Sequence, residues 1–449
     1  MAISDHQFDV LLLLVAKAGQ IVGKDDLLQA GWKDVAVGDN SIEQAISSLR
    51  RLLGTHPGGA AYIDTVPRRG YRFGVAVTRT ATRESDAGLD ALLAPHRSFI
   101  EGRAALETFD RAEVGRARGV FEEALQLAPE HPSAHIGLAN AGVMQFEMTR
   151  ADQAPDTAAL LLAARHAREA CRLDPQSAEA WATLGFVLDR TGNSLDARAA
   201  ARRAVALEPD NWRHHFRLSY VSWGEERLRA AHRTLALLPA FPLAHWLAAT
   251  VYVARQVLGE AERELAAGLS VQGGQPTGSS QFTAIALHWL LGLIHLARGN
   301  EVGALEEFER ELSAEHRGHL YTRECAANTW YAIGALRLRQ GLIQDACTAF
   351  TSAIREVGTH PMAYVGLVAA GSSGQPGGPS RPVDGAFDHA AQLAVSGAHT
   401  EAARVVDEAL TAAPVGNVGW LLPVEPLLHV SAHLDVWAGA LAHLRNRAA

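Results

Sequence analysis

The chain has 449 residues, a formal net charge of −8, 48% hydrophobic residues and three cysteines. This length predicts two or more domains, each with enough apolar residues for a core. The acidic balance argues against a general binder of nucleic acid or anionic membranes. The cysteines are odd in number and widely spaced, which argues against a disulfide framework and favours a reducing compartment.

The sequence carries no recognisable targeting or membrane segment. Met1–Asp5 lacks the basic residues of a secretion signal. The longest apolar stretch, Phe282–Ala297, is interrupted by two histidines and is short for a membrane span. We therefore expect a cytoplasmic protein that does not enter a membrane.

Three helices are predicted in succession at the start of the chain. The first two are the short segments Phe8–Ala18 and Lys24–Trp32. The third, Asn40–Leu53, has apolar residues at spacings of three and four, so they form one stripe: Ile42, Ala45, Ile46, Leu49, Leu52 and Leu53. Asn40 can cap this helix, and Gly54 can end it.

The polar face of the third helix suits contact with nucleic acid. It presents short hydrogen-bonding side chains followed by two arginines, in the order Gln44, Ser47, Ser48, Arg50 and Arg51. Short polar side chains can reach base edges in a groove, and arginines bind phosphates. For this segment alone, a packing helix with a merely solvated polar face is an equally good interpretation.

A β-hairpin is predicted after the third helix. Tyr62–Val66 and Gly70–Ala76 are β-rich, and Pro67–Gly70 forms a turn with Arg68 and Arg69 at its tip. Residues 40–73 hold five arginines against two acidic residues, whereas residues 1–39 hold three lysines against six aspartates. Positive charge is thus concentrated on the third helix and the hairpin, and binding through so few contacts should be sensitive to salt.

These segments, read in order between Asp5 and Phe73, closely resemble the OmpR/PhoB-type winged-helix domain: FDVLLLLVAKAGQIV, KDDLLQAGW, DNSIEQAISSLRRLLG and TVPRRGYRF. The resemblance implies that Asn40–Leu53 is a recognition helix for the major groove of double-stranded DNA. It also implies base contacts by Gln44 and Ser48, and backbone or wing contacts by Ser47, Arg50, Arg51, Thr65, Arg68 and Arg69. The family's leading β-sheet has no counterpart here, so we expect it to be missing.

The rest of the chain is predicted to be an α-solenoid of tetratricopeptide-like repeats. The pattern is clearest in Ala178–Asp210, where small and large residues alternate as two packed helices require. Weaker copies follow the same spacing, at 99–129, 134–175, 212–242, 243–269, 285–315 and 327–361, and 389–414 and 418–447 are helical but off pattern. Two loops, Val271–Gln281 and Gly371–Gly385, interrupt the array. The predicted domains are 1–78, a linker at 79–95, and 96–449.

Motifs for catalysis, cofactors and metals were sought without success. GQIVGK at Gly19–Lys24 is too short for a phosphate loop, and an aspartate follows in place of the required Ser or Thr. The histidine pairs His131/His135 and His429/His433 have the spacing of zinc ligands on a helix, but ordinary helix-surface histidines are the favoured interpretation. We expect no enzyme activity, no cofactor and no metal.

The combined pattern predicts a mainly α, bacterial, sequence-specific transcription regulator. It resembles the CadC- and HilA-like regulators, which join a winged helix to such repeats, but without a transmembrane segment. The solenoid would bind a protein, a peptide or a small effector, and homodimer formation is left open. The alternative is a repeat scaffold or adaptor whose truncated winged helix makes only protein contacts.

Overall fold

The computed structural model describes residues 5–32, 39–54, 61–67, 69–77, 97, 99–274, 283–313, 318–372 and 382–449. The predicted linker at 79–95 lies outside these ranges, as does the wing-tip residue Arg68. Within them, a small helical domain with one sheet precedes a long array of helices, so the predicted fold class is confirmed.

In its described residues, the N-terminal domain has three helices and a three-stranded sheet. Its elements in chain order are α1 (Asp5–Ala16), β1 (Ile21–Val22), α2 (Lys24–Gly31), α3 (Asp39–Leu53), β2 (Ile63–Val66) and β3 (Gly70–Phe73). The sheet order is β1-β3-β2, and both strand pairs are antiparallel. The helices and the hairpin agree with the prediction, whereas β1 was not predicted because it is only two residues long.

The predicted apolar stripe of α3 forms much of the core of this domain. Ile42, Ile46 and Leu49 are at most 1% exposed and pack against α1, α2 and the sheet. Leu52 and Leu53, at the end of the stripe, are only half-buried. The helix begins at Asp39, and the predicted Asn40 cap lies among side chains that are not described.

Two glycines have the roles that their backbone positions require. Gly54 has a φ of +68° and ends α3, as predicted. Gly70 has a φ of +128°, and a Cβ atom there would lie 2.0 Å from the carbonyl oxygen of Val22. Only glycine therefore lets β1 pair with the start of β3.

The solenoid consists of consecutive helices that pack on their neighbours in pairs. After helical residues 99–107 it contains α4 (Arg111–Leu127), α5 (Pro132–Thr149), α6 (Thr157–Leu173), α7 (Ala178–Arg190), α8 (Ser194–Leu207), α9 (Trp212–Val221), α10 (Glu225–Leu237), α11 (Pro242–Ala254), α12 (Leu258–Gly273), α13 (Leu287–Ala297), α14 (Glu301–Ser313), α15 (Thr322–Arg339), α16 (Ile343–Glu356), α17 (Pro361–Ala369), α18 (Pro382–Val395), α19 (His399–Ala412) and α20 (Leu434–Arg447). The predicted loops are shorter than expected, because α12 continues to Gly273 and α18 begins at Pro382.

Close helix packing in the repeats depends on small residues. A Cβ atom on Gly185 would lie 2.8 Å from the carbonyl oxygen of Ala197, so α7 and α8 touch backbone to backbone as the pattern predicts. Phe350 on α16 is fully buried against two glycines, Gly334 on α15 and Gly366 on α17. One aromatic ring thus joins its own repeat to the next.

The array curves until distant repeats touch. His319 pairs with Asp110 in an isolated antiparallel bridge, and Arg323 forms an ion pair with Asp152 at 2.9 Å. Thr359 donates a hydrogen bond to the carbonyl oxygen of Ala151 at 2.6 Å. These contacts join segments far apart in sequence, and a central, partly open cavity lies between the early and the late repeats.

The C-terminal segment fills part of that space. Helix was predicted from 418 onward, but the chain forms three short 3-10 helices, Leu422–Val424, Pro426–Leu428 and Val430–Ala432, before α20 begins. Leu422, Leu427 and Leu428 are at most 1% exposed and join the core formed by α11, α15 and α18. The concave side of the later repeats is therefore occupied by the protein's own chain.

Candidate nucleic-acid interface and interior cavity

The outer face of α3 carries most of the residues predicted to contact DNA. Gln44, Ser47 and Arg51 are exposed, and Ser48 is half-buried. Within the described residues, the side chains of Gln44 and Arg51 have no hydrogen bond or ion pair. Burial of this face would have contradicted the prediction, and it is not buried.

Arg50 has a different environment from its neighbour Arg51. Its Nε donates to the carbonyl oxygen of Ile63 at 2.9 Å, and its Nη2 donates to Oγ1 of Thr65 at 2.8 Å. Both acceptors lie on β2, so Arg50 fixes α3 to the hairpin. Arg50 and Thr65 were predicted as DNA contacts, and in this structure they are hydrogen-bonded to each other.

At the wing, Arg69 is exposed beside the turn, and its backbone N–H donates to the carbonyl oxygen of Val66 at 3.0 Å. Arg72 pairs with Asp64, its cross-strand partner, at 2.9 Å. An exposed pair of this kind contributes little to stability, but Asp64 offsets the positive charge of Arg72. Arg51 and Arg69 remain as exposed arginines of this surface with no partner among the described residues.

The outer face of α3 borders a large cavity. Gln44, Ser48 and Arg51 line a space of about 1140 Å³ whose other walls come from the concave side of the solenoid. The side chains of this face are thus accessible to solvent, but the solvent-filled space in front of them is also bounded by the repeats.

A buried ion network closes the solenoid wall beside the cavity. Glu147 on α5 is 1% exposed, and it lies 2.8 Å from Nε of Arg190 and 3.2 Å from Nη1 of Arg150. Tyr321 donates its hydroxyl proton to Glu147 at 2.9 Å, and burial raises the pKa of Tyr321 well above its usual value. Arg150 also binds Glu324, at 2.7 Å. The network joins α5 and α7 to the start of α15.

A second polar group on the wall is centred on Arg217 of α9. Its Nη2 donates to Oδ1 of Asn140 at 2.9 Å, and the Asn140 amide donates to Thr183 at 3.2 Å. The guanidinium lies over the ring of Phe186 at 4.4 Å. Sequence reasoning missed these residues, although Arg217 and Thr183 occupy the same position of α9 and α7, which a search for polar residues at the repeat spacing would have found.

The C-terminal segment contributes a buried acid. Glu425 accepts a hydrogen bond from the hydroxyl of Tyr331 and another from the backbone N–H of Leu427 at 3.4 Å. Burial raises the pKa of Glu425 to about 7. The 3-10 segment is therefore attached to α15 through a carboxyl group that titrates near neutral pH.

The described residues do not offer a metal site or a membrane helix. No group of three or more His, Cys, Asp and Glu side chains among them has an arrangement that could hold a metal ion. His429 and His433 do not share a helix but flank the short 3-10 helix Val430–Ala432, which corrects their predicted place on a helix surface. No helix in the described ranges has both the length and the apolar character needed to cross a bilayer.

Comparison with known proteins identifies the N-terminal domain. The family described as "Transcriptional regulatory protein, C terminal" matches residues 1–73. The cholera toxin transcriptional activator of Vibrio cholerae is 32% identical over 94 residues, which are 20% of this chain and 32% of that protein. The transcriptional regulator HilA of Salmonella typhimurium is 38% identical over 71 residues, 16% of this chain and 13% of that protein. The chain thus spans a third or less of these relatives.

Among solved structures, the human IFIT1 dimer with PPP-AAAA aligns with a TM-score of 0.49 and 17% identity, over 71% of this chain and 72% of that one. The fold of the N-terminal domain, its exposed polar helix face and its matched relatives agree with one another. Residues 1–73 are a winged-helix domain of the OmpR/PhoB type, as found in transcription regulators, and a tetratricopeptide-like solenoid follows it.

Proposed function

We propose that this protein is a sequence-specific, DNA-binding transcription regulator of a bacterium. Helix α3 enters the major groove, where Gln44 and Ser48 reach base edges, and Ser47 and Arg51 bind the backbone. Arg68 and Arg69 extend the contact into the adjacent minor groove. Arg50 and Thr65 set the angle between helix and wing, and they contact phosphate through the N–H and O–H groups that are not used in bonding each other or Ile63.

The observation that carries this proposal is the guanidinium of Arg51. It is exposed at the end of a polar helix face and has no partner among the described residues. A helix that merely packs or is merely solvated would gain from pairing such a charge with a neighbouring acid. The match of residues 1–73 to a family of transcription regulators supports the same function.

The solenoid, in this proposal, governs access to the recognition face. The cavity walls include both α3 and the repeats, so DNA and the closed arrangement compete for one space. A signal bound by the solenoid would shift the population between closed and DNA-binding arrangements by its differential affinity for the two. In this proposal the protein acts in the cytoplasm, recognises DNA through α3 and the wing, and receives its signal at the solenoid, as a monomer or as a homodimer.

Fluorescence anisotropy with labelled promoter fragments from the source genome tests the proposal. Full-length protein should form a salt-sensitive complex with a subset of fragments, and Arg51→Ala should weaken it about fivefold or more. Arg263→Ala is the matched control, since Arg263 is 73% exposed on α12, far along the chain from the winged helix. A scaffold whose winged helix makes only protein contacts would bind none of the fragments.

A further inference from the structure

The central cavity has the dimensions of a small-molecule site. Its volume of about 1140 Å³ slightly exceeds the usual range for ligand pockets, so it can hold a ligand of drug size together with water. The contacts between early and late repeats close its wall, and the ion network around Glu147 fixes that wall in place. The cavity remains partly open to solvent, so a small ligand can enter it.

Arg217 lines this cavity with a guanidinium that has no ion-pair partner among the described residues. Its Nη1 is buried without a hydrogen-bond partner, and the one polar group that binds the guanidinium in the described part of the chain is the neutral amide of Asn140. Loss of water lowers the pKa of Arg217 to about 10, so the group is still charged at neutral pH. A buried charge without a counter-ion is costly, and a bound anion would offset that cost.

The neighbouring acids do not neutralise Arg217, because each has another partner. Glu179 pairs with Arg103 at 3.4 Å, and Glu107 pairs with Arg213 at 2.8 Å. Both acids also lie near enough to favour the charged form of Arg217, but neither forms an ion pair with it. Among these three arginines and two glutamates alone, positive charges exceed negative charges by one, whereas the whole lining of the cavity holds five arginines and six acidic residues.

Aromatic rings line the same cavity as this charge. Phe186 and Tyr220 meet edge to face at 5.3 Å, and Arg217 lies over the ring of Phe186. Trp246 and Trp289 also line the cavity. A cation beside aromatic walls matches a ligand with an anionic group and an apolar body.

We propose that the cavity binds a small aromatic carboxylate, with Arg217 holding the carboxylate and the aromatic residues holding the ring. This inference deepens the sensing role in the proposed function and rests on it for its regulatory meaning. The binding itself does not involve DNA. Asn140 acts as a positioning residue, because it accepts a hydrogen bond from Nη2 of the guanidinium, and Thr183 in turn holds the Asn140 amide.

Isothermal titration of the full-length protein tests this directly, without DNA. The probes are phenylacetate, indole acetate and naphthoate, each compared with its neutral primary amide. We expect at least one acid to bind with a stoichiometry of one, about tenfold or more tightly than its amide, because only the acid forms a charge-assisted bond with Arg217. Binding should also change tryptophan fluorescence, since several tryptophans line the cavity.

Variants locate the site. Arg217→Gln should reduce acid affinity to that of the amide, Arg217→Lys should retain part of it, and Arg263→Gln should leave it unchanged. The acid–amide comparison on the unaltered chain does not depend on the folding of any variant. The proposal is overturned if no acid binds at millimolar concentration, if acid and amide bind equally, or if Arg217→Gln binds the acid normally.

A further titration, with a peptide, distinguishes a small aromatic acid from the C-terminal carboxylate of a peptide, since both offer a carboxylate beside a ring. A tripeptide ending in phenylalanine is tested with a free and with an amidated C-terminus. Binding of the free peptide with no binding of the small acids would replace the small-molecule ligand by a chain terminus and so contradict the proposal. Failure of DNA binding in the separate anisotropy experiment would leave this result unaffected.

Discussion

Replacing Arg50 and Arg51 separately should distinguish the stability of the winged helix from its DNA contacts. Arg50 donates two hydrogen bonds to β2, to the carbonyl oxygen of the fully buried Ile63 and to Thr65. Bonds from a charged donor contribute about 1.5–3 kcal/mol each when buried. Because Arg50 is half-exposed, we expect Arg50→Ala to destabilise the helix–wing contact by about 2 kcal/mol in all.

Hydrogen–deuterium exchange measured by mass spectrometry gives this quantity locally. At about 1.4 kcal/mol per factor of ten, a loss of 2 kcal/mol accelerates exchange of the β2 and β3 amides about 30-fold. Arg51→Ala should leave this exchange unchanged but weaken DNA binding and reduce the slope of log affinity against log salt by about 1. Arg50→Lys keeps the charge but loses the planar fork, so it should resemble Arg50→Ala in exchange.

Two results would refute this reasoning. Unchanged wing exchange in Arg50→Ala would mean that the two hydrogen bonds do not hold the wing in solution. Faster exchange in Arg51→Ala would mean that Arg51 supports the fold and is not reserved for DNA. Circular dichroism of each variant should show the same helix content as the unaltered protein, which checks that the solenoid is intact.

Three further predictions concern the solenoid. The pKa of Glu425 is about 7 in the folded protein, against an ordinary 4.5. The protonated carboxyl group therefore stabilises the fold fully below pH 4.5, and this stabilisation, about 3 kcal/mol, is lost as the pH rises through 7. The urea midpoint of the wild type should accordingly fall relative to that of Glu425→Gln between these two pH values. Gly366→Ala places a Cβ atom 2.3 Å from a buried phenyl ring and should cost about 1–3 kcal/mol in thermal unfolding, whereas Gly115→Ala, with nothing within 4 Å, should be neutral or stabilising. A thiol reagent should modify Cys347 quickly and the other two cysteines only on unfolding, since those are buried and burial raises the pKa of Cys171 to about 12.

The sequence predicted most of the winged helix, because local signals agreed with the tertiary structure. The apolar stripe of α3 became its buried face, and the glycine after it adopted the left-handed conformation. Strand β1 was missed since a pair of residues carries no periodicity, and its pairing depends on a distant glycine, Gly70. The bond between Arg50 and β2 was missed because it joins residues 13 positions apart through side-chain geometry.

In the solenoid, the repeat pattern predicted helix pairs but not how the array closes. The contact between Asp110 and His319 depends on curvature accumulated over many repeats, and no local pattern records this. The same holds for Glu425, whose 3-10 segment was predicted to be helical and instead packs within the concave side. The Arg217 site results from this closure, since its walls come from several repeats.

The salt dependence of DNA binding by the full-length protein tests the central claim most directly. Arg51 at the DNA backbone and Arg68 and Arg69 in the minor groove together neutralise about three phosphate charges. Log affinity for a selected promoter fragment should therefore fall with log salt with a slope of about −3, and Arg51→Ala should reduce this to about −2. A selected fragment bound with that slope, and released by competitor of the same sequence but not by unrelated DNA, is the expected result. No binding to any fragment at low salt, or an equal slope in the Arg51→Ala variant, would contradict the account.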